Sequence, residues 1–563
     1  HLIRHSQFLL LALLAAWKIP DAAPFEDCLR LAASPHPEVR RAAGYCLMRL
    51  AGTKPAGRTA TPAVAPLSQS EAARAAARLR DLSQDADERL RAHAVRGLGA
   101  FGDPATTAAL CALVADPDWR VRVEVARALA ASPREFRMQE ADPLLRDRHQ
   151  NVRVAAVEAL ATLGRPEEAL QRLESLLKDS RSRIREVAYG AYLTRQRAQG
   201  DPIPGPAIDA IERASRQMLR QTSWRLRVLA ADGAVLLPLE VALPILEEML
   251  RDEPRVARAA VDPLLQRRAR MRNDPVLAQM GRDLETLLSS PDPVLRAVTL
   301  GSLAEIFADS TLRPDASDWM GLESIFDQSR RYAVSADRSP DVRLAIVEAA
   351  ARLAGRPGME RFLLESCEDP EYLVRRTAVE ALQAAGRTPP RAAEPVETAR
   401  SEAEWGTILE WARADHWAQL ETQEGAILVR LFSQEAPLTC WNFARLAGDG
   451  FFDRSLWHRV VPDFVLQAGC DRGDGYGGSD RTIRCEINRR RFEAGTLGMA
   501  LSGKDTGTSQ FFLTHSEQPH LDGRYTVFGR IESGQDAADR ILQGANLWSV
   551  RILDQPPEKA GRR

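Results

Sequence analysis

What this chain has little of narrows the field first. Its seven cysteines (Cys28, Cys46, Cys111, Cys367, Cys440, Cys470 and Cys485) form no CxxC pair, and an odd, scattered set does not build a disulfide framework. No Cys/His ligand pair has metal-site spacing, so no metal is expected and the thiols are expected to be buried and unpaired. An excess of charge is also missing: 76 Lys and Arg against 77 Asp and Glu leave a net charge of −1. That balance offers no global attraction to nucleic acid or an anionic membrane, and neither is expected as a partner. The one apolar run, Phe8 to Trp17, is too short to span a bilayer. Arg4 ahead of it gives residues 1–23 the pattern of a signal peptide, an alternative to the repeat reading preferred below.

What is present is length and repetition. At 563 residues the chain exceeds one ordinary core. One pattern recurs: a Pro/Asp/Ser turn, an aliphatic residue, an Arg, then small or apolar residues three to four and seven places later. It stands at Val39-Arg40, Leu90-Arg91, Val121-Arg122, Val152-Arg153, Ile184-Arg185 and Leu226-Arg227. It continues at Arg258, Arg296, Val342-Arg343 and Val374-Arg375. The arginines are spaced by 51, 31, 31, 32, 42, 31, 38, 47 and 32 residues, which sets a unit of 31 or 32 with insertions in the longer intervals.

Inside a unit, Val121, Val125 and Leu129 share a helical face, while Leu110, Leu113 and Val114 form a second stripe before Asp116-Pro117-Asp118. Pro ends the first helix and Asp caps the next. Each unit is thus a helical hairpin that must stack on its neighbours to bury its apolar faces. These units resemble HEAT repeats, especially the short kind of phycobilisome-lyase-like proteins, and the resemblance implies an α-solenoid over residues 1–385 that binds protein partners. Ile3-Arg4 fits the same pattern, so the chain is expected to begin inside a repeat, its N-terminus truncated. A Pro/Ala/Thr-rich insertion is expected near residues 53–70. A Pro-rich linker with a short helix is expected over 386–414, and few contacts across it.

From His416 the pattern changes to alternating strands and frequent glycines: Ala426–Leu431 and Tyr525–Ile531 read as strands and Pro437–Ala447 as a helix. Three segments stand in order: Trp457-His-Arg-Val-Val-Pro-Asp-Phe-Val-Leu-Gln-Ala-Gly469; Gly495–Ala500 with Thr508–Phe512; and Pro519-His-Leu-Asp-Gly-Arg-Tyr-Thr-Val-Phe-Gly529. Together they resemble cyclophilins of the bacterial type. The resemblance implies a closed, eight-stranded antiparallel barrel with two helices at residues 415–555, followed by a polar tail at 556–563. It also implies peptidyl-prolyl cis/trans isomerase activity on Xaa-Pro bonds of client proteins, with no cofactor.

The same resemblance assigns residues. Arg459 matches the catalytic arginine aimed at the prolyl nitrogen, and Gln467 the glutamine that steadies it and the substrate backbone. Phe464, Val465, Phe512 and Leu521 match the proline pocket. Ala500, Leu501, Ser502 and Gln510 match the peptide groove, the first three through backbone contacts. Animal-type members carry Trp where this chain has His520, which argues against tight cyclosporin binding, and His and usually Met where it has Tyr525 and Val465, which should alter groove polarity and pocket width without removing catalysis. His458, Asp463, Asp471 and Asp474 read as structural or turn residues, since the reaction needs no general base. Two other readings stay open: an idle domain that only holds proline segments, and a scaffold for a chromophore lyase or similar partner. Client identity, compartment and oligomeric state are not encoded legibly.

Overall fold

The computed structural model describes residues 25–52, 67–130, 142–200, 202–271, 283–309, 340–354, 358–390, 401–479 and 481–557. The apolar run at Phe8, the Ile3-Arg4 pattern, most of the 53–70 insertion, the middle of the linker and nearly all of the polar tail lie outside the described residues. Helix Gln69–Leu82, capped by Ser68, takes the last two positions assigned to the insertion.

Helical hairpins fill the first part of the chain as the repeat requires. In one unit, helix Pro104–Ala112 starts at Asp103, whose side chain accepts from Thr106 N–H. Helix Trp119–Ala130 follows the Asp-Pro-Asp turn. Val121, Val125 and Leu129 are fully buried, each worth about 1.5–3 kcal/mol of apolar burial. Three successive apolar clusters run along the solenoid, from Phe25 to Leu163, Val154 to Leu264 and Ala257 to Leu382.

The repeated arginine has a physical job. In Arg40, Arg91, Arg122, Arg153, Arg185, Arg227, Arg296 and Arg375, Nη1 donates to the backbone carbonyl six residues earlier, inside its own turn. Four of these also pair with an Asp of the next unit, Arg40–Asp85 at 3.1 Å, Arg91–Asp116 at 2.9 Å, Arg122–Asp147 at 2.6 Å and Arg227–Asp252 at 2.7 Å, and Arg343 pairs likewise with Asp369 at 2.9 Å. The same Asp often fixes its own turn by accepting a backbone N–H two residues on, as Asp116 does from Asp118. A planar fork can serve turn and neighbour together, which a Lys ammonium cannot. Arg258 departs from the row and reaches the C-terminal domain instead.

Helix Glu402–Ala412 leads into that domain. Strands β1 (Trp417–Thr422), β2 (Gly425–Leu431), β3 (Ser455–Leu456), β4 (Arg459–Val461), β5 (Val465–Ala468), β6 (Thr496–Met499), β7 (Phe511–Thr514), β8 (Val527–Ser533) and β9 (Asn546–Leu553) form one antiparallel sheet. Their order is β3-β9-β1-β2-β8-β6-β7-β5-β4. Helices Pro437–Gly448 and Gln535–Arg540 complete the fold. The sheet curls into a half-barrel around Phe443, Phe452, Trp457, Phe511 and Phe528. There are nine strands rather than eight, and among the described residues its end strands β3 and β4 do not pair with each other.

One expectation is overturned. The two parts are not loosely tethered; the solenoid holds the sheet domain through a row of side chains. Arg96 pairs with Asp463 at 2.7 Å, Arg120 with Asp539 at 2.7 Å and Arg258 with Asp474 at 2.8 Å. Backbone carbonyls take further arginines: Arg127 on Pro462 (3.1 Å), Arg225 on His458 (3.2 Å), Arg255 on Arg472 (3.0 Å) and Arg376 on Lys504 (3.0 Å). Arg472 returns the contact to Asp292 at 2.8 Å, and Leu542 packs on the middle apolar cluster of the solenoid. Linker composition says little about contact because these bonds come from helices hundreds of residues upstream.

Candidate active site

Strands β4 and β5 form a short hairpin whose register sets Arg459 opposite Gln467 and Val461 opposite Val465. The connecting turn is tight: Phe464 N–H donates to Val461 O at 3.0 Å, and Asp463 sits at φ +57°. That left-handed conformation is costly for a residue with a Cβ, and here surrounding contacts hold it. The Asp463 carbonyl accepts from Ser516 Oγ (2.8 Å) and Gln518 Nε2 (3.1 Å). Its carboxylate, buried in the domain interface, meets Arg96. Burial pushes Asp463 up to about 6, partly offset by Arg96.

Arg459 is half-buried, its guanidinium 5.8 Å from the Phe464 ring centre. It makes no ion pair or side-chain hydrogen bond among the described residues, and burial holds it below the ordinary arginine range, with Tyr525 opposing. Gln467 does not bond Arg459; its Nε2 donates to Gln510 Oε1 at 2.9 Å. Gln510 Nε2 in turn donates to Gly475 O and Gly477 O at 2.9 and 2.7 Å. This relay engages the Gln467 side-chain nitrogen, on the residue paired in register with Arg459.

Beside Arg459 lies an apolar cluster separate from the barrel core: Val465, Phe492, Phe512, Leu521 and Val527, rimmed by Phe432, Phe464, Ala500 and Tyr525. Phe512 stacks on Phe492 with centroids 5.4 Å apart and meets Tyr525 edge-on at 5.8 Å. His520 stacks on Phe464 at 5.5 Å. Gly498 permits the stack, since a Cβ there would stand 2.6 Å from both Phe492 and Phe512. Of the groove positions, Ala500 N–H is taken by Gln510 O and Ser502 N–H by Thr506 Oγ1. These two N–H groups are therefore already engaged within the protein. Leu501 turns its side chain to the barrel core.

Residues 417–557 match the family described as cyclophilin type peptidyl-prolyl cis-trans isomerase/CLD. The chain is 45% identical over 138 residues to a peptidyl-prolyl cis-trans isomerase of Synechococcus elongatus, covering 24% of this chain and 95% of that protein. It belongs to the cyclophilin-type isomerases. Peptidyl-prolyl cis-trans isomerase B of Bacillus subtilis is 48% identical over 124 residues, 22% of this chain and 87% of that one. A Helicobacter pylori (strain J99) isomerase is 43% identical over 138 residues, 24% and 85% respectively. HEAT repeats match at residues 75–148 and 329–414, and the PBS lyase HEAT-like repeat at 152–179.

The cyclophilin hairpin thus brings Arg459, Phe464, Val465 and Gln467 to one edge with Phe512, Leu521, His520 and Tyr525. Phe492, Val527 and Phe432 were missed as pocket residues; the loop supplying Phe492 has no periodicity to flag it. His458 is buried and held neutral, pushed by burial down to about 4. Asp474 turns its own loop by accepting Tyr476 N–H at 3.0 Å, but Asp463 and Asp474 also dock the solenoid, a second role their turn chemistry did not disclose. Seven free thiols are present, and no cluster among the described residues suits a metal.

Proposed function

We propose that this groove isomerises Xaa-Pro bonds of client proteins, with Arg459 as the group acting on the prolyl nitrogen. The observation carrying the reading is a half-buried guanidinium, without an ion pair among the described residues, over Phe464 at the rim of an apolar pocket. Rotation about the prolyl bond meets a barrier of roughly 18–20 kcal/mol from amide resonance. In the twisted state the nitrogen becomes pyramidal and basic, and a fixed cation stabilises it more than either planar state. Val465, Phe512 and Leu521 hold the proline ring, and Phe464 walls the pocket. Gln467, braced by Gln510, positions substrate backbone, while Ala500, Leu501 and Ser502 line its path. His520 reduces cyclosporin affinity, while Tyr525 and Val465 set groove polarity and pocket width. The family's closed barrel is part of this reading: Trp457 between β3 and β4 shares a core with Leu547 of β9 and Leu466 of β5, so packing spans the gap that strand pairing leaves.

The division at 1–385, 386–414 and 415–555 is kept as a proposal about units of sequence, not of independent motion. Protein partners of the array would use surface other than the part engaged by the cyclophilin domain. Replacing Arg459 by Ala in the full chain is expected to lower turnover of a proline peptide about tenfold to a hundredfold, the loss of one charge-assisted interaction. Unchanged turnover in a folded variant would mean the domain merely holds proline segments or uses another group.

A further inference from the structure

Three of the solenoid's cross-domain contacts fall on the segment that carries the candidate chemistry. Residues 458–463 lead into, form and close strand β4. Arg225 takes His458 O at 3.2 Å, just before Arg459, and Arg127 takes Pro462 O at 3.1 Å. Arg96 bonds the Asp463 carboxylate at 2.7 Å at the strained turn. Glu124, almost fully buried, aligns the two central arginines: Arg96 donates to it at 2.7 and 2.9 Å and Arg127 at 2.7 Å. The grip is therefore a fixed frame built on helices Glu88–Leu98 and Trp119–Ala130, not a pair of solvated side chains. Arg459 itself makes no ion pair or side-chain hydrogen bond among the described residues, and its guanidinium lies only over the ring of Phe464, a residue of the same hairpin turn. Its aim then depends on where its strand lies.

We propose that Arg96, acting with Asp463, is a positioning residue of the isomerase, through which the solenoid sets the strand that presents Arg459 to the prolyl nitrogen. The inference rests on Arg459's assigned role. Because a small displacement of a reacting group can cost up to about a hundredfold in rate, loss of this frame lowers turnover without emptying the pocket. The solenoid becomes part of the catalytic apparatus as well as a carrier.

The test is steady-state isomerisation of a proline peptide by the full chain, with kcat and KM separated. Variants are Arg96→Met, which keeps the aliphatic stem, Asp463→Asn, which keeps the turn shape, and their combination. Asn151→Ala removes a different cross-domain contact, on Asp539 O at 3.0 Å, outside residues 458–463. Arg459→Ala serves as the reference. The expected result is a kcat about tenfold lower in each hairpin variant, a double variant no worse than the worse single one, KM within about twofold, and Asn151→Ala at wild-type kcat. Partial recovery in Arg96→Lys supports the role further. If both hairpin variants keep wild-type kcat while Arg459→Ala loses it, the positioning idea fails and the site assignment stands. Asn151→Ala losing as much kcat as Arg96→Met overturns it too, because docking in general would then be the cause. If Arg459→Ala itself is fully active, the underlying assignment fails instead.

Discussion

Two rows of side chains run along the same inner helices and behave differently. The repeat arginines, such as Arg91, Arg122 and Arg227, fold back on their own turns and on the next unit's Asp. Two residues earlier stand Arg89, Arg120, Asn151, Arg183 and Arg225, and from this row Arg120, Asn151 and Arg225 cross to the cyclophilin domain. One row is internal to the solenoid and repeats because its partners repeat. The other meets Asp539, His515, His458 and Gly473, which share no spacing. Periodicity in a sequence therefore reports bonds within an array, and is silent about bonds to something non-periodic seated in it.

The sharpest way to break the comparison is to strike the first row. Arg122 is buried and serves Asp147, Asp116 O and Pro117 O at once. Arg122→Met should cost about 3–5 kcal/mol in chemical denaturation, since it strands a buried carboxylate and two carbonyls. A loss confined to the first row's own neighbourhood, seen as deprotection in amide exchange of adjacent helices, is expected. Striking a docking arginine should cost less. Arg120→Met leaves Asp539 with Gln535 Nε2 at 2.9 Å, so about 1.5–3 kcal/mol is expected, and exchange should rise at residues 535–541 rather than in the solenoid. Equal protection patterns for the two variants would erase the distinction between rows.

Acid probes the second row more gently. His515 is fully buried under Trp119, its ring nitrogens unpartnered among the described residues, and burial pushes it down to about 3 from 6.5. A base depressed in the folded state contributes stability that is complete above 6.5 and is lost as pH falls toward 3. The unfolding free energy of the full chain should therefore decline progressively below pH 6.5, and His515→Phe should flatten part of that decline. An identical pH profile in wild type and variant would remove His515 from the titration. Smallest of all, Arg74→Ala breaks an exposed pair with Glu26 and should leave the melting temperature unchanged.

Much of this molecule was legible in its residues, for definite reasons. The 31- or 32-residue spacing of Arg91, Arg122, Arg153 and Arg185 marks one bonding arrangement copied down the array. The Trp457–Gly469 segment is readable because hairpin register, turn and pocket fall in one short stretch. Phe492 was not, since it reaches the pocket from an irregular loop and only the stack on Phe512 reveals it. The docking row was visible as Arg89-Leu-Arg91, Arg120-Val-Arg122, Arg183-Ile-Arg185 and Arg225-Leu-Arg227. Its destination was not, because nothing in that spacing names a partner. The expected bond between Gln467 and Arg459 gave way to the relay through Gln510, a choice made by side-chain geometry that a motif does not record.

The seating of the cyclophilin domain also orders events in time. Arg96 and Asp463 are 367 positions apart and Arg120 and Asp539 are 419 apart. Synthesis proceeds from the N-terminus, so the inner row emerges well before the acids and carbonyls that receive it. During that interval the nascent solenoid carries arginines whose cross-domain acceptors do not yet exist, and the last domain made then covers them. A chain halted before His458 would leave Arg96, Arg120, Arg127 and Arg225 without those acceptors. The inner row thus distinguishes a finished polypeptide from an interrupted one by donors that only the last domain can satisfy.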